Sequence, residues 1–486
     1  MSMLRGVQRS RHFKLTGSSL MAIAFPSAIN WFRSIGATRP SATNTLRTTA
    51  AVLCVSALSA LASQSVAATF TVNSTADTPD ATPGDGVCAT AGAVCTLRAA
   101  IEEANALAGA DLINIPGGTY VLTSELLIFS DINLVGSASP LTKISGNVAT
   151  RVVNIAGGAV VNFTDLEITE GRADHGAGIR IGAGTVTLLR VRVDSNAANS
   201  GTQLGGGIYA DGGLLTVRDS LIDINSATNG GGGIYVGGTG TLDLITSTVF
   251  FNQTNTLGGG IASDGSVTTL NSTIAQNAAS NGAGIAILSG PANIQFTTVA
   301  SNTITGVATN AQVYATTPNT SGLSRTFRGN IVANPVGGAN CTGTIPANAV
   351  SSLGNNLDSG NSCGFAVTGD LINTNPLLGA LGSCGGPTQA YALLPGSPAI
   401  NAGPTTGALP VSDQTNTPFI RVINAPGDIG SCESVGAAVP GVIVAAAPVP
   451  VNNPFLLAAA VLLIALCAFA ALVAPSSRNR EATRKA

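Results

Sequence analysis

Five related phrases between residues 185 and 302 decide the fold: TVTLLRVRVDSN (185–196), LLTVRDSLIDIN (214–225), TLDLITSTVFFN (241–252), SVTTLNSTIAQN (266–277) and ANIQFTTVASN (292–302). Each phrase ends in an asparagine, at Asn196, Asn225, Asn252, Asn277 and Asn302. A glycine cluster followed by an isoleucine precedes each phrase, at spacings of 24 to 29 residues that end at Ile179, Ile208, Ile234, Ile261 and Ile285. A fixed period in this range is typical of stacked supersecondary units.

The repeated unit reads as β-strand. Apolar residues alternate, as at Val186 and Leu188, and β-branched residues dominate without a period of 3.6. Turns stacked at the spacing of paired strands, roughly 4.8 Å, bury apolar faces that one turn cannot bury alone. Asparagine tolerates left-handed backbone at a bend and can bond to the asparagine above and below, while glycine serves at another corner. We therefore predict an all-β, right-handed parallel β-helix, with the asparagines in one file and roughly ten to twelve turns.

Composition and charge agree with a stacked fold. Only 9% of the 486 residues are charged, against about 25% in an average soluble protein. Between residues 68 and 477, eleven Lys and Arg face twenty-three Asp and Glu, which gives this part a net charge of about −12. An acidic body argues against nucleic-acid binding. We also expect no cofactor.

Both ends of the chain carry targeting patterns. Residues 1–68 read as a signal peptide with a long basic n-region, because basic residues precede an apolar run and the small residues SVAA end it. The alternative is a membrane anchor or a disordered tail. Residues 434–453 read as a linker, 454–474 as a transmembrane or sorting helix and 475–486 as a basic cytoplasmic tail. We therefore expect export, with the body outside the cell and the membrane contacted through this C-terminal helix.

Residues 69–110 are expected to cap the stack, since the first turn of a solenoid exposes an apolar end. A helix is predicted over 96–108, with Thr96 as its N-cap and Leu97 and Ile101 on its apolar face. The preceding acidic loop, with Asp77, Asp80 and Asp85, is either a calcium site or a plain solvated loop.

Cysteines in the exported part are even in number, which favours disulfides. Spacing alone does not give their connectivity, and we expect neighbours in sequence to pair. The candidates are Cys88 with Cys95, Cys341 with Cys363, and Cys384 with Cys432.

Two stretches resemble known families. CTLRAAIEEAN, residues 95–105, resembles the CSLREA motif that opens many secreted bacterial β-helix proteins. The glutamate that completes the capping box in that motif is replaced here by Ala99, so one capping bond is lost. Residues 353–433 resemble the choice-of-anchor Q region, which implies C-terminal coils after the main coils at 111–352 and a surface anchor beyond them. The apolar helix with its basic end resembles the sorting tails of Gram-negative bacteria.

β-Helix folds also host polysaccharide lyases and hydrolases, so we searched for catalytic residues. His175 is the one histidine after the signal region, but no paired-Asp motif accompanies it, and we interpret it as a polar corner residue. An ionic patch on adjacent turns is either a catalytic site or a set of cross-strand pairs. Its members are Arg190, Arg192, Asp194, Arg218, Asp219 and Asp223.

The sequence therefore favours a non-catalytic, surface-displayed protein whose partners are surface glycans or a host or neighbouring cell surface. The alternative is a polysaccharide lyase or a glycoside hydrolase of the pectate-lyase-like β-helix type. No Ser-His-Asp set, zinc-ligand spacing or phosphate-binding loop occurs in the sequence.

Overall fold

The computed structural model describes residues 67–138, 141–307, 309–316, 324–342, 350–415, 421 and 426–434. The signal segment up to residue 66, the linker from 435, the apolar segment 454–474 and the basic tail lie outside the described residues. Within the described ranges, no helix is both long enough and apolar enough to cross a bilayer.

The chain forms an all-β parallel solenoid, which confirms this part of the predicted fold class. About nine turns add strands to both of its large sheets. Sheet I, with eighteen strands, contains two adjoining columns that share two long strands. Its strands are Thr69–Thr71, Asp111–Asn114, Leu126–Ile128, Ile132–Val135, Val153–Ile155, Val160–Thr164, Ile179–Ile181, Thr185–Leu189, Ile208–Arg218, Ile234–Ile245, Ile261–Ser263, Ser266–Leu270, Ile285–Ile287, Ala292–Gln295, Ala311–Ala315, Arg325–Arg328, Ala339–Thr342 and Ser351–Ser352.

Two narrower sheets complete each turn. Sheet II has eleven strands: Gly118–Val121, Thr142–Ser145, Leu166–Thr169, Arg192–Asp194, Leu221–Asp223, Thr248–Phe250, Thr273–Ala275, Thr298–Ala300, Ile331–Ala333, Leu357–Asp358 and Leu371–Ile372. Sheet III has six short strands: Arg172–Ala173, Ala197–Ala198, Ser226–Ala227, Gln253–Thr254, Ala278–Ala279 and Thr303–Ile304.

The repeated phrases stack without a slip. In sheet II, Val193 pairs with Ile222, and the same position continues through later turns. All of these side chains are fully buried in one apolar cluster that runs through the stack. A slip of one residue would turn them outward, so the apolar positions fix the register.

The five asparagines lie in one file inside the stack. Each Nδ2 donates to the Oδ1 of the next asparagine at 3.0 Å, from Asn196 to Asn302. The expectation that these asparagines take left-handed backbone was wrong. The left-handed residue comes one position earlier, with φ between 53° and 59° at Ser195, Ile224, Phe251, Gln276 and Ser301. The bend precedes the asparagine because the asparagine side chain points inward to bond between turns.

The N-terminal cap contains the helix Leu97–Ala106, which ends two residues before the predicted boundary. The Thr96 hydroxyl accepts from the Ala99 N–H at 3.0 Å, so the N-cap bond forms without the missing glutamate. Glu103 is buried and accepts from the backbone N–H of Gly84 at 2.6 Å, which holds the preceding loop on the helix. A Cys88–Cys95 disulfide closes that loop.

The chain beyond residue 377 does not add coils, which corrects the prediction for 353–433. Leu378–Ser383 and Gln389–Leu393 form an antiparallel hairpin. The described residues from 378 to 434, here called the strap, return along the outer face of sheet II, where Tyr391 packs on Phe250 and Ala275. The turns therefore number about nine, and the estimate of ten to twelve was too high because it counted the strap as coils.

The outer face of sheet II explains where the strap lies. One file of side chains along this sheet is polar in the early turns and apolar or small in the later ones. The strap covers the later part, and the polar side chains of the earlier part are buried as well. The members of this file, in order, are Ser145, Thr169, Asp194, Asp223, Phe250, Ala275 and Ala300.

Candidate functional site

The early, polar part of the outer face of sheet II brings together half of the predicted ionic patch. Arg192 makes a two-bond contact with Asp223, at 2.9 Å from Nε and 2.7 Å from the terminal nitrogen. The same guanidinium lies 3.7 Å from Asp194. In the adjacent file, Lys143 bonds to Glu167 at 2.7 Å. Positive and negative groups thus alternate along neighbouring turns, as expected for cross-strand pairs.

The rest of the predicted patch lies at the neighbouring corner. Arg190 bonds to Asp165 at 2.7 and 2.8 Å. Asp219 accepts a hydrogen bond from the Thr246 hydroxyl. Arg218 is exposed. The six candidates therefore do not converge on one point.

Arg190 and Arg192 of this patch are poorly suited to accept a proton. The hydrogen bond to Asp223 raises the pKa of Arg192, and the bond to Asp165 raises the pKa of Arg190. Burial raises the pKa of Asp223. A lyase needs a base that is neutral at the working pH, and paired arginines remain cations.

His175 lies on a different face, above sheet I. Its ring stacks on Tyr209 with centroids 4.9 Å apart and planes at 25°. Its Nε2 shares a hydrogen bond with the Thr202 hydroxyl. Burial lowers the pKa of His175, because removal from water disfavours the charged ring. The side chain is thus a neutral aromatic surface at neutral pH.

Tyr209 continues this surface along the stack. Arg180, Tyr209 and Tyr235 occupy the same register position on three successive turns of sheet I. The two tyrosine rings are tilted at 35°, with centroids 5.6 Å apart. Together with His175, the two tyrosines form an aromatic row across three turns, in which His175 and Tyr209 are partly exposed and Tyr235 is buried. We call it, with Asp211 and Asp264, the tyrosine strip.

Carboxylates hold the phenol groups of the tyrosine strip. The Tyr209 hydroxyl donates to Asp211 at 3.0 Å, and the Tyr235 hydroxyl donates to Asp264. Burial and the bond to Asp211 raise the pKa of Tyr209 to about 12. Each carboxylate retains further acceptor capacity for a ligand hydroxyl.

Arg180 is a half-buried cation at the end of the strip. It makes no ion pair or side-chain hydrogen bond with any residue that the structure describes, and its Nε is buried without a partner. Keeping a partly desolvated guanidinium unpaired is costly. Its remaining donors are available to a ligand.

Sequence reasoning missed Arg180, Tyr209 and Tyr235. A signal for the tyrosines was present, because GGGIY occurs twice, at 205–209 and 231–235. The residue after a buried isoleucine points outward in a strand. Two tyrosines at equivalent positions of successive turns must therefore be neighbours.

The predicted calcium ligands do not form a cluster. Asp77 binds Arg98 at 2.8 and 2.9 Å, Asp80 accepts from the N–H groups of Thr82 and Ala89, and Asp85 bonds its own loop. Across the described parts of the chain, no group of three or more His, Cys, Asp and Glu side chains is arranged to hold a metal ion. These carboxylates instead fasten the cap.

Comparison with known proteins gives one similarity in fold. No family model matches the chain. No curated protein matches it either. Among solved structures, the crystal structure of pectate lyase Pel9A is similar, with 14% sequence identity and a TM-score of 0.46. The match covers 77% of this chain and 98% of that chain. The solenoid described above rests on strand register in this chain.

Proposed function

We propose that this chain is a non-catalytic carbohydrate-binding protein, exported and displayed at the cell surface, that binds glycans on the tyrosine strip. The observation that carries the proposal is the partly exposed pair His175 and Tyr209, which continues into the buried Tyr235, with a carboxylate beside each phenol. Binding sites commonly combine aromatic surface with a few placed polar groups.

The chemistry of the strip fits a sugar. An aromatic ring provides a flat apolar surface for the C–H face of a pyranose, and it loses little conformational entropy on binding. Asp211 and Asp264 can accept from sugar hydroxyls, and Arg180 can donate to ring or hydroxyl oxygens. A half-buried, unpaired arginine thus gains partners when a glycan binds.

A lyase or hydrolase is the less favoured function. The ionic patch that a catalytic mechanism would use is divided between sheet II and the neighbouring corner, and Arg190 and Arg192 are each paired with a carboxylate of the chain. Arg190 and Arg192 remain protonated because each is paired with a carboxylate. These contacts therefore favour a binding surface over a catalytic centre.

The remaining elements of the proposal come from the sequence. We propose a right-handed coil, since parallel crossover connections have this hand in about 98% of cases. The resemblance of the cap to the CSLREA motif and of 353–433 to the choice-of-anchor Q region supports surface display. The basic and apolar patterns at the ends support export and membrane anchoring.

A binding experiment with the full chain tests the proposal. Isothermal titration with oligosaccharides selected on a glycan array should show binding that Tyr209→Ala weakens by about tenfold or more. Tyr209→Phe keeps the ring and should retain most of the affinity. Tyr314→Ala is the matched control, because Tyr314 lies in the same file three turns beyond Tyr235. If Tyr209→Ala binds as tightly as the original chain, the tyrosine strip is not the binding site.

Turnover assays address the alternative. The full chain, with and without calcium, should release no unsaturated or reducing ends from acidic or neutral polysaccharides. Activity that Arg218→Ala or Asp219→Ala abolishes would establish an enzyme and overturn the non-catalytic assignment.

A further inference from the structure

Asp111 is a buried carboxylate at the start of the stack. It begins the strand Asp111–Asn114, and its side chain is fully buried on the same face as Ile113. The six turns that follow have a buried apolar side chain at the equivalent register position. These side chains are Ile132, Val161, Val186, Leu215, Leu242 and Val267. The chain therefore has an acid at a position that the next six turns use for the apolar core.

The Asp111 carboxylate has one hydrogen-bond donor among the described residues. Its Oδ1 accepts from the backbone N–H of Ala68 at 2.7 Å, whereas its Oδ2 is buried without a partner. No Lys, Arg or His in the described ranges forms an ion pair with it. A buried carboxylate normally has a cation or several donors beside it, because removing a charge from water is costly. The position of Asp111 therefore calls for a further partner, and that partner should be cationic.

Ala68 lies directly against this carboxylate. Its N–H donates to Asp111, and its carbonyl oxygen accepts from the N–H of Leu112 at 2.8 Å. From Thr69 onward, the chain pairs in parallel with the strand that Asp111 begins. Ala67, one residue earlier, is exposed. Among the described residues, the contacts of the N-terminal strand with the stack thus begin at the nitrogen of Ala68.

The residues before Ala68 have the pattern of a signal peptidase site. Ser65, Val66 and Ala67 form a small-x-small sequence, and an apolar run precedes them. Hydrolysis breaks the C–N bond between Ala67 and Ala68, and the hydroxyl of water goes to the Ala67 carbonyl carbon. The Ala68 nitrogen takes one proton from water and one from the new carboxyl group. The products are a carboxylate on Ala67 and a primary ammonium on Ala68.

We propose that the chain is cleaved between Ala67 and Ala68 and that Asp111 binds the new N-terminal ammonium. The ammonium supplies the missing cation, and its additional N–H groups supply a donor for Oδ2. Hydrogen bonds between charged groups are roughly twice as strong as neutral ones. Before cleavage, Asp111 has only the amide donor, so the ion pair forms on processing and fixes the first strand to the stack.

This contact also selects the bond that is cut. A cut after Ala68, at the end of the segment that the sequence pattern assigns to the signal peptide, would remove both bonds between Ala68 and the next strand. A cut after Ala67 retains both bonds and adds the charge. The inference relies on the export in the proposed function, but it does not depend on glycan binding.

The test uses the full chain, secreted by a bacterial host. N-terminal sequencing should give Ala68 as the first residue. Asp111→Asn retains an oxygen that accepts from Ala68 and removes the charge. Asp131→Asn is the matched control, because Asp131 is exposed and also accepts one backbone N–H, from Val160 at 2.8 Å. Circular dichroism and melting temperature check that each variant is folded.

Amine labelling measures the ion pair directly. Acetic anhydride reacts with a neutral amine, so an ammonium held by a carboxylate is labelled slowly. With Lys143 as the internal reference, labelling of the Ala68 amine should be about tenfold faster in Asp111→Asn than in the original chain. It should be unchanged in Asp131→Asn. Amide hydrogen exchange in the strand Thr69–Thr71 should also be faster in Asp111→Asn alone.

A first residue other than Ala68 would overturn the inference. So would an Ala68 amine that is labelled equally fast with aspartate and with asparagine at position 111. If Asp111→Asn does not fold, the folded original chain is compared with the same chain in urea. Slower labelling of Ala68 in the folded chain, relative to Lys143, then supports the ion pair, and equal labelling contradicts it.

The same preparations separate this inference from the proposed function. Asp111→Asn should bind glycans like the original chain, because Asp111 is not part of the tyrosine strip. An exported chain that begins at another residue would contradict the inference and leave surface display intact. Absence of glycan binding in a chain that begins at Ala68 would contradict only the proposed function. An uncleaved chain that stays inside the cell would contradict both.

Discussion

At the scale of single residues, Asn252 shows how one side chain connects adjacent turns. Its Oδ1 accepts from the backbone N–H and from Nδ2 of Asn225, each at 3.0 Å. Its Nδ2 donates to the carbonyls of Ile222 and Phe250 and to Asn277. An asparagine file satisfies buried polar groups that the corner of each turn would otherwise leave unpaired.

Replacing Asn252 with alanine should destabilise the fold strongly. Several buried donors and acceptors would lose their partner, and each such loss costs about 1–3 kcal/mol. We expect Asn252→Ala to lower the free energy of unfolding by roughly 3 kcal/mol or more, measured by denaturant titration. Asn255→Ala is the control, because Asn255 is exposed and makes no side-chain bond to a described residue. Similar stability in the two variants would show that the file is not structural.

The ladder also explains one glycine of each GGGI or GAGI cluster. A Cβ at Gly233 would lie 2.7 Å from the Gly260 carbonyl oxygen and 3.0 Å from the side chain of Asn252. Even alanine would push the turns apart there. Gly238, in contrast, faces open space. The close contact with the ladder asparagine, and not the backbone angles, therefore requires glycine at the position before each isoleucine.

The His175 ring of the tyrosine strip should take up its proton at a lower pH than a free histidine does. Because burial lowers its folded pKa below 6.5, the neutral ring contributes stability above that value, and this contribution is lost as pH falls through the folded pKa. Asp174 opposes this shift, while Arg180 and Arg151 reinforce it. The C–H resonances of His175, followed by NMR, should titrate with a midpoint below 6.5. A midpoint at or above 6.5 would contradict the burial of this ring.

At the scale of elements, the strap and sheet II depend on each other. Gln414 in the strap donates to Thr248 at 2.9 Å and accepts from Thr273 at 2.6 Å. Ser431 donates to Thr298 at 3.1 Å. These bonds, together with the apolar contact of Tyr391, close the later part of the sheet. The part of sheet II that the strap covers therefore begins where the apolar file begins, at Phe250.

The Cys384–Cys432 disulfide should hold the strap in place. It joins residues 48 positions apart, and a bridge over such a loop commonly stabilises by roughly 2–4 kcal/mol. We expect the double variant Cys384→Ser, Cys432→Ser to exchange amide hydrogens faster in peptides from 378–415, with no change in peptides from 185–225. The control is the double serine variant of Cys341 and Cys363, which should leave exchange near the hairpin unchanged. Unaltered exchange in the strap would show that its other contacts suffice.

Docking of the strap should also be favoured at acidic pH. Arg421 is buried over the Phe296 ring and binds Glu433 at 2.7 Å, with Asp413 and Asp428 close by. Among the described groups, one guanidinium thus faces three carboxylates. Burial raises the pKa of Glu433 from 4.5 to about 7.

A raised carboxyl pKa contributes stability that is complete below about 4.5 and is lost as pH rises through about 7. The melting temperature of the original chain should therefore fall between pH 5 and pH 8 by more than that of Glu433→Gln, which has no proton to lose. An equal fall in both proteins would contradict this assignment.

At the scale of the whole molecule, the sequence predicted the stacked turns but not their limits. The repeated phrases fix the strand register, because apolar positions and asparagines recur with each turn. The strap was misread as coils, since its short apolar segments resemble strands and pairing direction has no local signature. The switch from Asp223 to Phe250 along one file was visible in the sequence and marks the covered region.

The candidate site was predictable only in part. Arg192, Asp194 and Asp223 do come together, because they belong to adjacent repeats. The repeated GGGIY could have shown that Tyr209 and Tyr235 are neighbours, but the bulge between Ala210 and Gly212, where Asp211 lies, has no sequence signal. A surface built from several turns is thus harder to predict than the core that supports it.

The most direct test of the central claim measures polysaccharide binding and polysaccharide length in one experiment. The full chain is attached to an affinity column, and a fluorescent polysaccharide is passed over it. The polysaccharide that the column retains is then recovered and sized by gel filtration. We predict retention that Tyr209→Ala reduces, with recovered polymer of unchanged length. A shortened polymer, or retention that is the same for Tyr209→Ala, would contradict a protein that binds glycans on its tyrosine strip without cleaving them.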